Sequence, residues 1–114
     1  MAGVELDQRA AAEAKNHLDD VFQGNIERDE VDFLSNSFDL ILLLDVLEHL
    51  IDPWEVLKRL VDENLNPGGS VIVSLPNVRH HSALLPLLIK GEWKYQDSGI
   101  LDRTHYRFFT RKSC

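Results

Sequence analysis

The sequence predicts an α/β fold: an open, mostly parallel sheet with flanking helices. Three observations carry that prediction. Strand-forming and helix-forming segments follow the order strand, helix, strand, strand, helix, strand, which is how chains build parallel sheets with helical crossovers. The run FDLILLL at 38–44 is apolar at both parities, as befits a strand covered by helices on both faces. The β-branched run SVIVSLP at 70–76 follows Asn-Pro-Gly-Gly, a signal that stops a helix before the next strand begins.

Taken in order, Gly3 to Leu6 reads as a short strand. Asp7 suits a helix N-cap, and QRAAAEAKNHL behind it is rich in good helix formers. VFQGNIE is a second short strand ending at Gly24-Asn25, and the polar, acidic RDEVDFLSNS reads as a loop or surface turn. After the apolar run comes DPWEVLKRLVDENL. There Asp52 is a good N-cap, Pro53 fits the first helical position and Glu55 completes a capping-box-like pattern. Trp54, Leu57, Leu60 and Val61 recur at helical spacing and predict one apolar face. Pro76 ends the later strand, and HSALLPLLIKGEW reads as a helix kinked or begun at Pro86. The closing stretch LDRTHYRFFTRKSC is aromatic and basic and has no clear type.

Composition narrows the classes. With 114 residues the chain is one domain at most, and 44% hydrophobic with 27% charged residues is ordinary for a globular protein. The net charge of −7 disfavours a general nucleic-acid partner, since such binding is driven by neutralising phosphates. Cys114 is the only cysteine, so no intrachain disulfide forms and a reducing compartment fits. No apolar run is long enough to span a membrane, and MAGVELD lacks the features of a secretory signal. The expected location is cytoplasmic.

In open α/β sheets ligands gather at the carboxyl ends of strands, and polar residues stand there. Glu5 follows the first strand, as an acceptor for a vicinal diol or as a surface acid. Asn25 follows Gly24, as an amide for a base edge or as a plain turn residue. Asp45 comes as the apolar run ends, with Glu48 and His49 three and four positions on. A helical turn there would put all three on one face. Such a trio beside a buried strand needs hydrogen-bond partners, a metal or a cleft, unless Glu48 and His49 cap the next helix and reach solvent. Asn77 follows Pro76, at a cleft mouth or in a turn.

Together GVELD, GNIE, FDLILLLDVLEHLIDPWEVLKRL, LNPGGSVIVSLPN and LDRTHYRFFTRKS resemble the class I S-adenosylmethionine-dependent methyltransferases. The similarity is strongest to the small-molecule, glycan and quinone O-methyltransferases. The resemblance implies a Rossmann-like methyltransferase fold and methyl transfer to an oxygen, less readily to nitrogen or carbon. It implies that Glu5 holds the ribose hydroxyls of S-adenosylmethionine. Asn25 stands where the family usually has an Asp facing the adenine amine, and Asp45 lines the pocket near the methionine part. Leu47, Glu48 and His49 begin the substrate side, and Asn77 and His105 face a small-molecule methyl acceptor. His49 or His105 would be the base, with an ordinary histidine pKa near ~6.5.

Some resembling enzymes, among them quinone O-methyltransferases and those that methylate the 3′-terminal 2′-hydroxyl of small RNAs, carry an acid-x-x-Glu-His trio that binds a divalent cation. The match here is Asp45, Glu48 and His49, with His105 as the candidate fourth ligand and Asp standing where Glu is usual. This gives an alternative reading as a divalent-metal-dependent RNA 2′-O-methyltransferase-like protein.

The resemblance runs from the family's second strand to just past its fifth, so residues 1–114 are expected to form a partial, truncated methyltransferase domain. The first strand with its glycine-rich loop and the last two strands are expected to be missing. The chain alone is then expected to be inactive. Val4 to Leu6 and Phe38 to Leu44 would expose backbone edges, which predicts that they pair with each other or that the fragment self-associates. The rival class is a non-catalytic interaction or dimerisation module on a methyltransferase-like core.

Overall fold

The computed structural model describes residues 1–29, 31 and 38–114. Most of the polar stretch expected as a loop before Phe38 lies outside the described residues. The elements are β1 (Ala2–Glu5), α1 (Gln8–Ala14), β2 (Asp20–Gln23), β3 (Phe38–Leu44), a 3₁₀ turn (Leu47–His49), α2 (Pro53–Asn64), β4 (Leu65–Ser74) and α3 (His81–Lys90). The strands and helices follow the predicted order, strand, helix, strand, strand, helix, strand, and α3 follows the last strand. Among the described residues, however, the strands form two separate two-stranded sheets, β1–β2 and β3–β4. Neither β1 nor β3 pairs with the other; each pairs along one edge with the strand that follows it. The chain divides into two compact units, Met1–Leu40 with Trp54–Ser70 and Ile41–Pro53 with Val71–Cys114.

In the first unit β1 and β2 run parallel, with Val4 opposite Phe22 and Glu5 opposite Gln23. Helix α1 is the crossover between them. Its N-cap is the predicted Asp7, whose Oδ1 accepts from the N–H groups of Arg9 and Ala10 at 2.9 Å. Such a cap contributes about 1 kcal/mol. The helix stops at Ala14, four residues before the predicted end, because Asn16 N–H and His17 N–H turn back onto the Glu13 and Ala14 carbonyls. That tighter pattern closes the last turn and releases the chain into β2.

Helix α2 buries Val56, Leu60 and Asn64, with Leu57 half-buried. These positions recur at intervals of three and four, so the helix does present one inward stripe. Trp54 and Val61 are not on it: both are exposed. Each lies about 100° or more around the helix from Leu60, which corrects the predicted face. Each fully buried aliphatic side chain on the stripe contributes about 1.5–3 kcal/mol. The Arg59 guanidinium donates to the Ile26 carbonyl and ties α2 to the loop after β2.

Helix α2 stops just before the Asn-Pro-Gly-Gly stretch, as predicted, but the stretch itself belongs to β4 rather than to a turn. Helix α2 ends at Asn64 and the strand begins at once. Asn66 Nδ2 donates to Asp39 Oδ1 at 2.9 Å, holding this segment to β3. Gly68 takes φ 83°, a left-handed conformation that glycine adopts freely. At the other end Asp45 N–H donates to the Ser74 carbonyl at 3.1 Å. The two contacts, early with early and late with late, show that β3 and β4 run in the same direction.

Strand β3 is not covered on both faces. Leu43 is buried and Ile41 half-buried, while Leu40, Leu42 and Leu44 are exposed, at 50%, 50% and 55%. Successive side chains of a strand alternate between faces, so the exposed leucines form one open apolar row.

The second unit buries Leu43, Leu47, Leu50, Ala83, Leu101 and Phe109. Helix α3 starts at His81, five residues before Pro86, with His80 Nδ1 accepting from Ser82 N–H at 3.4 Å. Pro86 is therefore internal rather than initiating. Gly91, at φ 68°, ends the helix by donating to the Leu87 carbonyl at 3.0 Å. Beyond it the chain is turns and isolated bridges, among them a parallel bridge between Asn77 and Phe109. None of the described helices is long and apolar enough to cross a membrane.

Candidate functional site

In the first unit, Glu5 and Asn25 stand at the carboxyl ends of adjacent parallel strands, joined by Gly24 N–H donating to the Glu5 carbonyl at 2.9 Å. Glu5 Oε1 accepts from Asp7 N–H at 3.0 Å, so one of its oxygens helps turn the chain into α1. Asn25 Oδ1 accepts from Glu27 N–H at 2.8 Å. The carboxylate and the amide oxygen each retain further acceptor capacity.

The second unit holds the denser cluster. Strand β3 is followed by Asp45, the only described non-glycine residue with positive φ, at 53°. Aspartate tolerates this region better than most residues. The bend leads into the 3₁₀ turn, so the chain does not place Asp45, Glu48 and His49 on one helical face. Asp45 Oδ1 instead accepts from Ser74 Oγ at 2.9 Å.

Glu48 is 1% exposed and its Oε2 has no hydrogen-bond partner. A buried carboxylate oxygen left unpaired is costly and calls for a ligand or a proton. Desolvation is the main cause that pushes the Glu48 carboxyl above the ordinary glutamate range, and Asp45 adds to it. His49 and His105 act in the opposite sense.

One ligand-type atom from each of Glu48, His49 and His105 lies within 4.8 Å of the others. The two imidazoles meet edge to face with centroids 4.7 Å apart. His49 and His105 are 56 residues apart in sequence, so a specific clamp must join them. The Glu48 carbonyl accepts from Tyr106 N–H at 2.8 Å and Arg107 N–H at 3.1 Å. Arg107 also donates from Nε to the Ile51 carbonyl at 3.2 Å. Buried Leu47 and Leu50 lie on one side of this clamp in sequence, and Leu101 and Phe109 on the other.

Both imidazoles are held by segment 100–105. His49 Nδ1 lies 3.3 Å from the Thr104 carbonyl and 3.1 Å from Thr104 Oγ1. His105 Nδ1 lies 3.2 Å from the Ile100 carbonyl. A carbonyl only accepts, so each Nδ1 carries the hydrogen, and in the neutral ring Nε2 is then the nitrogen with the lone pair. Asp102 anchors the segment: its Oδ1 accepts from Thr104 N–H at 2.8 Å and Thr104 Oγ1 at 2.7 Å. Those two hydrogen bonds, the backbone one first, lower the Asp102 carboxyl below its ordinary value.

Asn77 is not part of this cluster's hydrogen bonding. It is exposed, and its Oδ1 accepts from Arg79 N–H at 3.0 Å within its own turn. Sequence reasoning did not single out Thr104, Asp102, Arg107 or Ser74. The Asp-x-Thr pattern does signal a carboxylate capping a nearby N–H. Nothing in it points to a histidine 55 residues away.

The arrangement offers one buried carboxylate and two imidazole lone pairs in a small volume. It can bind a divalent cation, or accept and return a proton. The family model for a methyltransferase domain matches residues 1–114. No curated protein gives a significant match.

Proposed function

Because the chain belongs to the methyltransferase-domain family, we propose that it serves methyl transfer from S-adenosylmethionine to an oxygen of a small molecule, glycan or quinone. The observation that carries this reading is the family match over residues 1–114. S-adenosylmethionine supplies an electrophilic methyl group, and the protein's share of such a displacement is alignment and, for a hydroxyl acceptor, removal of a proton. Glu5 binds the ribose hydroxyls and Asn25 accepts from the adenine amine. His49 and His105, whose Nδ1–H groups are already engaged, are the candidates to take the acceptor's proton at Nε2.

Calorimetry with S-adenosylmethionine tests the reading. Micromolar binding is expected, weakened about tenfold or more in Glu5→Ala through loss of charged hydrogen bonds. Wild-type protein that gives no binding heat overturns it.

The unpaired Glu48 Oε2 favours a further reading in which Glu48, His49 and His105 hold a divalent cation. The residues fit: a buried carboxylate without a partner and two imidazoles with their Nδ1–H groups already committed. Such a cation would polarise an acceptor hydroxyl. The mixed carboxylate–imidazole set suits manganese, cobalt or iron better than magnesium, which prefers oxygen ligands. Asp45 is the remaining candidate ligand from the acid-x-x-Glu-His pattern, and its Oδ1 is engaged by Ser74.

A further inference from the structure

Segment 100–105 reaches the ring nitrogens of both histidines, although it contains only one of them. Its hydrogens can be assigned from the partners alone. Thr104 Oγ1 has a single hydrogen, and it lies 2.7 Å from Asp102 Oδ1. An ionised carboxylate cannot donate, so that hydrogen points to Asp102. Thr104 Oγ1 can then only accept from His49 Nδ1, 3.1 Å away. The Thr104 carbonyl, 3.3 Å from the same nitrogen, imposes the same direction.

We propose that Asp102 and Thr104 form a positioning relay that sets the tautomer of His49. Asp102 orients the Thr104 hydroxyl, the hydroxyl oxygen and carbonyl of Thr104 receive the His49 Nδ1–H, and Nε2 is left as the one nitrogen able to take a cation or a proton. Thr104 touches neither substrate nor cation; it acts through His49. His105 receives the same treatment from the Ile100 carbonyl, so one short loop prepares both imidazoles. The consequence for cation affinity rests on the metal reading above, whereas the tautomer assignment does not.

The two are separated by one set of experiments on the full chain. Long-range ¹H–¹⁵N spectra of histidine-labelled protein, at pH ~8.5 and well above the ordinary histidine range, report the tautomer directly. Wild type is expected to show His49 with Nδ1 protonated. Thr104→Val, which leaves only the longer 3.3 Å carbonyl contact, and Asp102→Ala, which frees the hydroxyl to donate its own hydrogen to Nδ1, are expected to move part of its population toward the Nε2–H form, and Thr104→Ser to keep the wild-type pattern. Amide spectra of each variant establish that it remains folded. A wild-type His49 protonated at Nε2, or a tautomer unchanged in both folded variants, overturns the relay. Manganese titration is the second readout. Loss of the partner that orients a ligating histidine weakens affinity about 10–100-fold, so Thr104→Val should bind manganese at least tenfold more weakly and Thr104→Ser near wild type. Wild type that binds no manganese removes the metal reading, while the spectra still decide the relay.

Discussion

The backbone carbonyl of Glu48 accepts a 2.8 Å hydrogen bond from Tyr106 N–H, while the Oε2 of the same residue has no partner. The main chain of Glu48 is thus committed to holding the 3₁₀ turn against the segment that carries His105. Its side chain keeps one carboxylate oxygen, Oε2, without a partner in the folded chain. That division separates what Glu48 does for stability from what it offers a ligand, and the two can be measured apart.

Replacing the Glu48 side chain should stabilise the ligand-free chain. Glu48→Met keeps the length and the backbone hydrogen bonds and removes an unsatisfied buried acceptor, which ordinarily costs about 1–3 kcal/mol. Urea unfolding should show a gain of that order. A loss of stability in Glu48→Met would mean that the carboxylate has a partner after all.

The pH dependence follows from the same group. Burial raises the folded-state pKa of Glu48 above its ordinary value, so the folded chain holds this proton more tightly than the unfolded chain. Its contribution is most favourable below the ordinary glutamate pKa. It is lost as pH rises from there through the raised folded value. The stability advantage of Glu48→Met over wild type should therefore widen as pH rises above the ordinary glutamate range. An advantage that stays flat over that rise contradicts a buried, proton-seeking carboxylate.

Divalent cations give a direct check on the trio. Manganese or cobalt at about 100 times its dissociation constant should stabilise wild type by about 2.7 kcal/mol and raise its Tm visibly. Magnesium should do less. His49→Ala and His105→Ala should each lose most of the shift. Melting curves that manganese, cobalt and magnesium leave unmoved would dismiss the cation.

The Arg107 clamp predicts a coupling between distant segments. Arg107→Ala removes the guanidinium donor to the Ile51 carbonyl and should cost about 1 kcal/mol, the ordinary worth of a solvent-accessible hydrogen bond. It should also weaken cation binding, because His105 sits two residues away on the same segment. Equal manganese affinity in wild type and a folded Arg107→Ala would show that the clamp does not hold the site.

The open row of Leu40, Leu42 and Leu44 on β3 predicts self-association. Contiguous exposed apolar surface next to a sheet edge favours pairing with a second copy. Sedimentation velocity should show mass rising with concentration, and Leu42→Lys should shift the boundary toward monomer. Wild type sedimenting as a monomer at every concentration would refute this.

The sequence made the local architecture legible where one short segment carried the whole signal. Asp7 as an N-cap, FDLILLL as a strand and SVIVS as part of a later strand all follow from propensity and spacing. The misses lie where neighbours decide. The Asn-Pro-Gly-Gly stretch does follow the end of α2, but it lies in β4, where Asn66 reaches Asp39. Trp54 and Val61 share helical spacing with Leu57 and Leu60, and spacing alone cannot say which side of a broad apolar arc turns inward. At the site, Glu48, His49 and His105 were legible as chemistry-bearing residues because two are adjacent and the third lies in a segment that resembles the family. Asp45 matched the motif in sequence, but its left-handed backbone and Ser74 set its side chain to another task. Thr104 and Asp102 were illegible because their role depends on a partner 55 residues earlier.

Asp45, with φ at 53°, carries a further implication for how this chain can drift in sequence. Its backbone admits few residues comfortably, chiefly glycine, asparagine and aspartate. Its side chain must also offer an oxygen to Ser74. Glycine meets the first demand and fails the second. Glutamate keeps the charge but fits the backbone poorly, β-branched residues fit it worst, and of these only threonine carries an oxygen at all. Only asparagine and aspartate satisfy the two together. Saturation mutagenesis at this position should therefore return a nearly closed set, so the residue that follows β3 is narrowed as much by the turn it makes as by any ligand it meets.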